Sequence, residues 1–259
     1  KETNIDAVPY THHGPVTYDK NFMGDHELSG YAMKWIGHIG GNNQKTFLEL
    51  NRSKNYGDYV NALKHYTAPA QNFVFASTDG DIAIWVQGKM PNKWKGQGKF
   101  LMDGSNPLND WQEFIPQEFN AHTKNPERGF VSSANQHPVD SSYPFYVFND
   151  GYETYRNRVI NDFLREKEEM NIQDFKDLHN NNYNLKAAEL LPYIYETMDI
   201  SSLNDEELKI LNELKAWEFN NDIDEVGPSI WRNWWVKLYN LVWDEYQSED
   251  VALKRPFTF

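Results

Sequence analysis

Residues 68–85 read APAQNFVFASTDGDIAIW, and this stretch decides how the first half of the chain folds. Before Asp79-Gly80, the side chains alternate, which places Phe73 and Phe75 together on one face of a predicted strand. After it, apolar residues alternate again from Ile82 onward. The glycine accepts the positive φ that a two-residue hairpin turn needs. The stretch therefore predicts a β-hairpin.

Composition excludes several classes of function. The chain has 259 residues and a formal net charge of −13, whereas a nucleic-acid partner would require a basic face. No apolar run approaches the ~20 residues that cross a bilayer. The absence of cysteine excludes disulfides, thiolate nucleophiles and Cys-ligated zinc. We therefore expect no nucleic-acid partner and no membrane span.

Local patterns divide the chain into two parts and predict an α+β fold, an antiparallel sheet part followed by a helical region. Residues 1–150 are predicted to be rich in sheet, and residues 151–259 mainly helical. Besides the hairpin, the first part has a helical pattern at 44–66, in which Asn55 is a candidate N-cap. Strand-like segments are predicted at 28–37, 99–102, 111–115 and 129–134. Helices are predicted at 155–169, 171–179, 185–198, 204–217 and 229–246.

Several short motifs occur in one order along residues 10–164. They are His13-Gly14-Pro15-Val16, Tyr31-Ala32-Met33-Lys34-Trp35, Pro69-Ala70-Gln71-Asn72, Gly88-Lys89-Met90-Pro91, Asn125-Pro126 with Gly129-Phe130-Val131, Ala134-Asn135-Gln136 and Tyr155-Arg156. Each is weak alone, but together they resemble the penicillin acylase family of N-terminal-nucleophile amide hydrolases. The chain is similar to an interior and C-terminal-side part of that family's β-chain. The resemblance implies that its sheet belongs to an αββα fold.

The resemblance also implies three site residues. Asn135 corresponds to the asparagine that holds the oxyanion, a role that suits a neutral amide donor. Arg156 corresponds to the family's active-site arginine, with Arg158 as the local alternative. Gln71 falls where the family has a residue lining the acyl pocket. Its polarity argues against a preference for the aromatic acyl group of penicillin G.

Other polar residues are interpreted as structural. His12 and His13 belong to a motif whose histidine is hydrogen-bonded inside the family's sheet, and Asp79 and Asp81 suit turn chemistry. We therefore expect no metal site and no cofactor. Some family members hold calcium through an aspartate, but the segment 143–150 is shortened here, with Tyr146-Val147 near that place. Calcium stays an alternative for the longer parent protein only.

The chain begins Lys1-Glu2-Thr3, whereas the family's nucleophile is the first residue of its β-chain. We expect the nucleophile serine, the α-chain and the N-terminal part of the β-chain to lie outside this sequence, so that the chain alone is inactive. The parent would cleave the acyl-amide bond of an N-acylated small molecule, such as a β-lactam or an acyl-homoserine lactone. The resemblance implies a periplasmic or secreted location.

Two alternatives come from other classes of protein. One is a non-catalytic homologue or fragment that binds a small ligand in an aromatic cleft. The other is a glycosidase with paired carboxylates, although no Asp or Glu pair stands out from the acidic background.

Overall fold

The computed structural model describes residues 7–17, 29–147 and 153–244. The chain forms two compact units, Lys1–Ser133 with His137–Asp150, and Ala134–Gln136 with Gly151–Phe259. Asn135 was expected in the sheet-rich part, but its tripeptide groups with the second unit. The reason is that its contacts are with a helix of that unit, as described below.

The first unit contains a short hairpin, two helices and a three-stranded sheet. The hairpin consists of β1 (Tyr10–Thr11) and β2 (Gly14–Pro15), and the helices are α1 (Asn43–Leu50) and α2 (Tyr56–Leu63). The antiparallel sheet has the order β3-β4-β5, with β3 at Gln71–Ala76, β4 at Ile82–Gln87 and β5 at His122–Lys124. Asn55 caps α2 as predicted, since its side chain accepts a hydrogen bond from the Asp58 N–H at 2.9 Å.

The predicted hairpin at residues 70–88 is confirmed, but its two-residue turn is wrong. Ala76 pairs with Ile82, so five residues, 77–81, connect the strands. The Gly80 N–H donates to the Ser77 carbonyl at 3.1 Å, and Gly80 has a φ of 91°. The glycine is thus used as expected, at the left-handed position of a longer loop.

The core of the first unit lies between α2 and one face of the sheet. Phe73 and Phe75 pack there against buried Tyr59 and Leu63, as the alternation of β3 predicts. Phe73 pairs with Trp85 across the sheet, which places Trp85 on the same face. The alternating residues Ile82, Ile84 and Val86 therefore lie on the opposite face and are only half-buried.

The other predicted strands are largely absent from the described residues. Segment 29–37 makes one bridge, between Ala32 and Val16, before a 3₁₀ turn at Ile36–His38. Segment 111–115 makes one bridge through Phe114, while 99–102 and 129–134 form no strand. Conversely, β5 was not predicted, because three polar residues carry no alternation signal. A segment with alternating side chains forms a strand only where a partner strand is available.

The second unit is helical, and the five predicted helices are confirmed with small shifts of their ends. They are α3 (Tyr155–Arg165), α4 (Ile172–His179), α5 (Leu185–Thr197), α6 (Asp205–Ala216) and α7 (Gly227–Val242). Their core consists of Ala187, Leu191, Leu214, Trp217 and Trp231. Ile230, Trp231, Trp234 and Trp235 of α7 pack in this core at the spacing of one helix face, whereas Leu241 and Val242 are more than half exposed. No helix of the described residues is both long and apolar enough to cross a membrane.

A capping box begins α6. The Asn204 side chain accepts from the Glu207 N–H at 3.0 Å, and the Glu207 carboxylate accepts from the Asn204 N–H at 2.9 Å. Asn204→Ala should lower the free energy of unfolding by about 1 kcal/mol, because the N–H groups of Glu206 and Glu207 both lose the side-chain oxygen that accepts from them. Urea unfolding would measure this. Asn212→Ala, at an exposed position within the same helix, is the control and should cost nothing.

The start of α4 gives a pH-dependent prediction. The Asn171 N–H donates to the Asp174 carboxylate, and this bond, followed by the Lys167 ammonium, lowers the pKa of Asp174. A carboxylate whose pKa is lower in the folded protein than in the unfolded chain stabilises the fold at neutral pH. This stabilisation is lost as the pH falls through the folded-state pKa. Asp174→Asn should therefore be less stable than the wild type at pH 7. The difference should shrink from about pH 5 downward, as urea unfolding across pH would show.

Candidate functional site

Asn135 lies at the centre of a short clasped turn. Its φ of 64° is in the left-handed region, which asparagine tolerates better than most residues. The side-chain oxygen of Gln136 accepts a hydrogen bond from the Ala134 N–H at 2.7 Å. This bond closes the turn on one side and fixes the backbone from which the Asn135 side chain projects.

Arg156, in the first turn of α3, closes the other side. Its Nη2 donates to the Asn135 side-chain oxygen at 2.9 Å and to the Ala134 carbonyl at 3.1 Å. Because a guanidinium only donates, the contacting Asn135 atom must be the amide oxygen. The Nδ2 group then points elsewhere, and no described residue accepts a hydrogen bond from it. The clasp thus presents an oriented neutral donor.

Arg158, the alternative to Arg156, has a different partner. Its guanidinium binds the Glu189 carboxylate on α5 through two hydrogen bonds, one of them at 2.8 Å from Nη1 to Oε2. Glu189 raises the pKa of Arg158, and Arg158 lowers the pKa of Glu189. Arg158 is therefore placed as a link between two helices, whereas Arg156 contacts Asn135.

Gln71 begins β3 in the first unit, where its side chain is exposed. Its neighbour Asn72 donates to the Ser133 hydroxyl at 2.7 Å, which ties the strand to the residue before Ala134. The structure thus brings Asn135 and Arg156 into contact and places Gln71 in the other unit. The assigned role of Gln71 stays a prediction.

A cavity that the sequence did not predict lies beside Arg156 within the second unit, with a volume of about 390 Å³. Its lining includes the ion pair between Lys186 and Glu153, at 2.6 Å. Aromatic rings contribute to its wall, from Tyr155, Tyr183 and Trp231. Residues from four separate segments line it, so no local pattern could have revealed it.

His12 and His13 form the tip of the β1–β2 hairpin. A His13 ring nitrogen, Nε2, lies 2.8 Å from the Gly104 carbonyl oxygen, so this histidine has a hydrogen-bonded structural position. Asp81 likewise has structural partners, since its carboxylate accepts from Lys124 at 2.8 Å and from Asn125 at 2.7 Å. These two contacts lower the pKa of Asp81.

The calcium alternative finds little support in the described part of segment 137–147. Its one acidic residue, Asp140, is turned onto its own loop, where it accepts from the Ser142 N–H at 2.9 Å. Tyr146 and Val147 provide no carboxylate, and residues 148–150 lie outside the described residues. Residues 137–147 thus offer one carboxylate where a calcium shell is rich in carboxylates, and calcium binding by the parent protein stays a prediction.

Comparison with known proteins identifies the family. A family model described as penicillin amidase matches residues 1–257. The thermostable penicillin G acylase from Alcaligenes faecalis superposes with a TM-score of 0.69 and 17% identity, over 93% of this chain and 44% of that one. This likeness shows the fold alone, which is α+β with the antiparallel sheet of an N-terminal-nucleophile hydrolase. The chain belongs to the penicillin amidase family.

Relatives with curated names include two kinds of acylase. The acyl-homoserine lactone acylase QuiP of Pseudomonas putida is 29% identical over 104 residues, covering 40% of this chain and 13% of that protein. The penicillin acylase 2 proenzyme of Pseudomonas sp. strain SE83 is 25% identical over 187 residues, covering 72% of this chain and 24% of that protein. The chain thus spans at most about a quarter of these relatives.

Proposed function

We propose that this chain provides the oxyanion-stabilising part of an amide hydrolase that cleaves the acyl-amide bond of N-acylated small molecules. The observation that carries the proposal is the clasp of Arg156 on Asn135, which leaves a neutral amide donor oriented and unpaired among the described residues. Membership of the penicillin amidase family supports the reaction class.

The chemistry follows from the orientation of that donor. Attack on an amide carbonyl places negative charge on its oxygen, and a donor held in advance stabilises that charge without reorganising during the reaction. Asn135 Nδ2 supplies the hydrogen bond. Arg156 acts as a positioning residue, because it holds the amide oxygen and the backbone carbonyl of Ala134 on the far side of the turn.

The proposed substrates are N-acylated small molecules, in keeping with the names of the acylase relatives. The resemblance assigns the nucleophile to an N-terminal serine of the parent's β-chain and places the protein in the periplasm or outside the cell. Both belong to the proposal. We expect the 259-residue chain by itself to be inactive, so each assay compares it with the full-length protein.

The two arginines provide a matched test in the full-length protein with chromogenic N-acyl anilides. Arg156→Leu should lower kcat about 100-fold, because a shift of about 1 Å in a catalytic group can cost that much. Arg158→Leu should stay within about 3-fold of the wild type, because it breaks only an exposed ion pair.

A second readout separates positioning from folding. If Arg156 acts through Asn135, Arg156→Leu should add little further loss of kcat in an Asn135→Ala background. Equal losses for the two arginine variants, or additive losses in the double variant, would contradict the proposed role.

The cavity beside Arg156 favours a second candidate, a non-catalytic protein that binds a small ligand. Failure of the processed full-length protein to hydrolyse any anilide of a varied panel would favour this non-catalytic candidate over the hydrolase. Saturable binding of an N-acyl amino acid, lost when Tyr183 is replaced by alanine, would then support it.

A further inference from the structure

A cluster of side chains of the types that commonly ligate metals lies in the first unit. One ligand atom each from His12, His13 and Asp110 lies within 4.8 Å of the others. The tight β1–β2 turn brings the two imidazoles together, with ring centroids 3.7 Å apart. Asp110 comes from a loop almost one hundred residues further along the chain, so the cluster is a product of tertiary structure.

The position of His13 fixes which of its nitrogens can bind a cation. Nε2 lies 2.8 Å from the Gly104 carbonyl oxygen, which can only accept, so Nε2 carries the proton. In the neutral ring, Nδ1 then presents its lone pair, and it lies 3.9 Å from the Asp110 carboxylate. Two electron-pair donors therefore face each other across a gap that a cation would fill.

The contact with Gly104 has the form of an outer-shell interaction in metal sites. Histidine ligands commonly donate their second N–H to a backbone carbonyl, which orients the ring and raises its basicity. The approach is so close that a side chain at position 104 would have to displace the His13 ring. A Cβ added at Gly104 would lie 2.9 Å from Nε2 and 3.2 Å from Cδ2 of His13.

Lys34 offsets the charge of Asp110, because its ammonium contacts the carboxylate. The Trp111 N–H, at 3.1 Å, also donates to the carboxylate. A bound dication would have to compete with Lys34 for the same oxygen.

We propose that His12, His13 and Asp110 bind a zinc ion. Two neutral imidazoles and one carboxylate match the ligand preference of zinc, whereas calcium and magnesium prefer shells of oxygen alone. Three protein ligands leave a fourth position for water. The ion would fasten the β1–β2 turn to the loop around Asp110. This proposal differs from the expectation of no metal site and is independent of the proposed hydrolase function.

Titration of the chelator-treated full chain with zinc chloride, followed by calorimetry, tests the site. We expect about one equivalent to bind. His13→Ala and Asp110→Asn should each weaken binding by at least about 100-fold, since even outer-shell changes cost 10–100-fold. His65→Ala is the matched control, because His65 also lies beside a carboxylate, that of Glu49 at 3.2 Å, and it should leave binding unchanged.

Two further variants keep the test valid if a ligand variant unfolds. Lys34→Met should tighten zinc binding because it removes the competing cation, and Gly104→Ala should weaken it by displacing His13. Cobalt substituted for zinc should show the d–d absorption of a low-coordinate site. Absence of binding to the wild type, or equal binding by wild type and the His13 and Asp110 variants, would overturn the proposal.

Discussion

Asn135→Ala is expected to lower kcat of the full-length protein by about 10²–10³-fold, with the fold retained and only a small drop in its unfolding midpoint, because alanine tolerates the φ of 64° less well than asparagine. Removal of one oxyanion donor has an effect of this size. The side chain is exposed and its one contact among the described residues is with Arg156, so folding should tolerate the change. Steady-state hydrolysis of N-acyl anilides measures kcat, and circular dichroism monitors the fold.

The Asn135→Asp variant distinguishes the effect of hydrogen-bond donation by the side chain from the effect of its shape. The aspartate keeps an oxygen that Arg156 can contact, but it has no N–H to offer and adds negative charge beside the developing oxyanion. We therefore expect a loss at least as large as that of the alanine variant. Full activity in either variant would show that the hydrogen bond to the oxyanion comes from another residue.

Leu191→Ala should lower the free energy of unfolding of the second unit by about 2–5 kcal/mol. Leu191 lies on α5, is 1% exposed and packs among Ala187, Leu214, Trp217 and Trp231. Truncation would leave a cavity that the rigid indole rings cannot easily fill. Urea unfolding followed by tryptophan fluorescence would report the change, because two tryptophans line the site.

Leu241→Ala is the matched control for this experiment. Leu241 lies on α7 with 72% of its surface exposed, so the same truncation removes little buried area. Its free energy of unfolding should stay within about 0.5 kcal/mol of the wild type. Similar losses of unfolding free energy in the Leu191 and Leu241 variants would contradict the assignment of Leu191 to the core of the second unit.

Where partners are near in sequence, local patterns predicted the structure well. The helices of the second unit and the N-cap at Asn55 depend on residues a few positions apart. The strand predictions were less accurate, because a strand requires a partner. Segment 29–37 has the alternation of a strand, yet Tyr31, Met33 and Trp35 remain 43–51% exposed because only one bridge forms.

For the candidate site, the motifs selected Asn135 and Arg156, and their catalytic roles stay predictions. The sequence left Arg158 as an alternative, since two arginines separated by a single residue look alike in a motif. The structure distinguishes their contacts, because residues two apart on a helix project in different directions. Arg156 contacts Asn135, and Arg158 contacts Glu189.

The sequence by itself determined the family motifs, the helices with their caps, and the hairpin of residues 70–88. These follow from side-chain periodicity and from hydrogen bonds between near neighbours. Only the tertiary structure decided the addition of β5 to the sheet, the clasp of Arg156 on Asn135, and the meeting of His13 with Gly104 and Asp110. Each of these joins residues some 20 to 100 positions apart, which only the packing of the folded chain brings together.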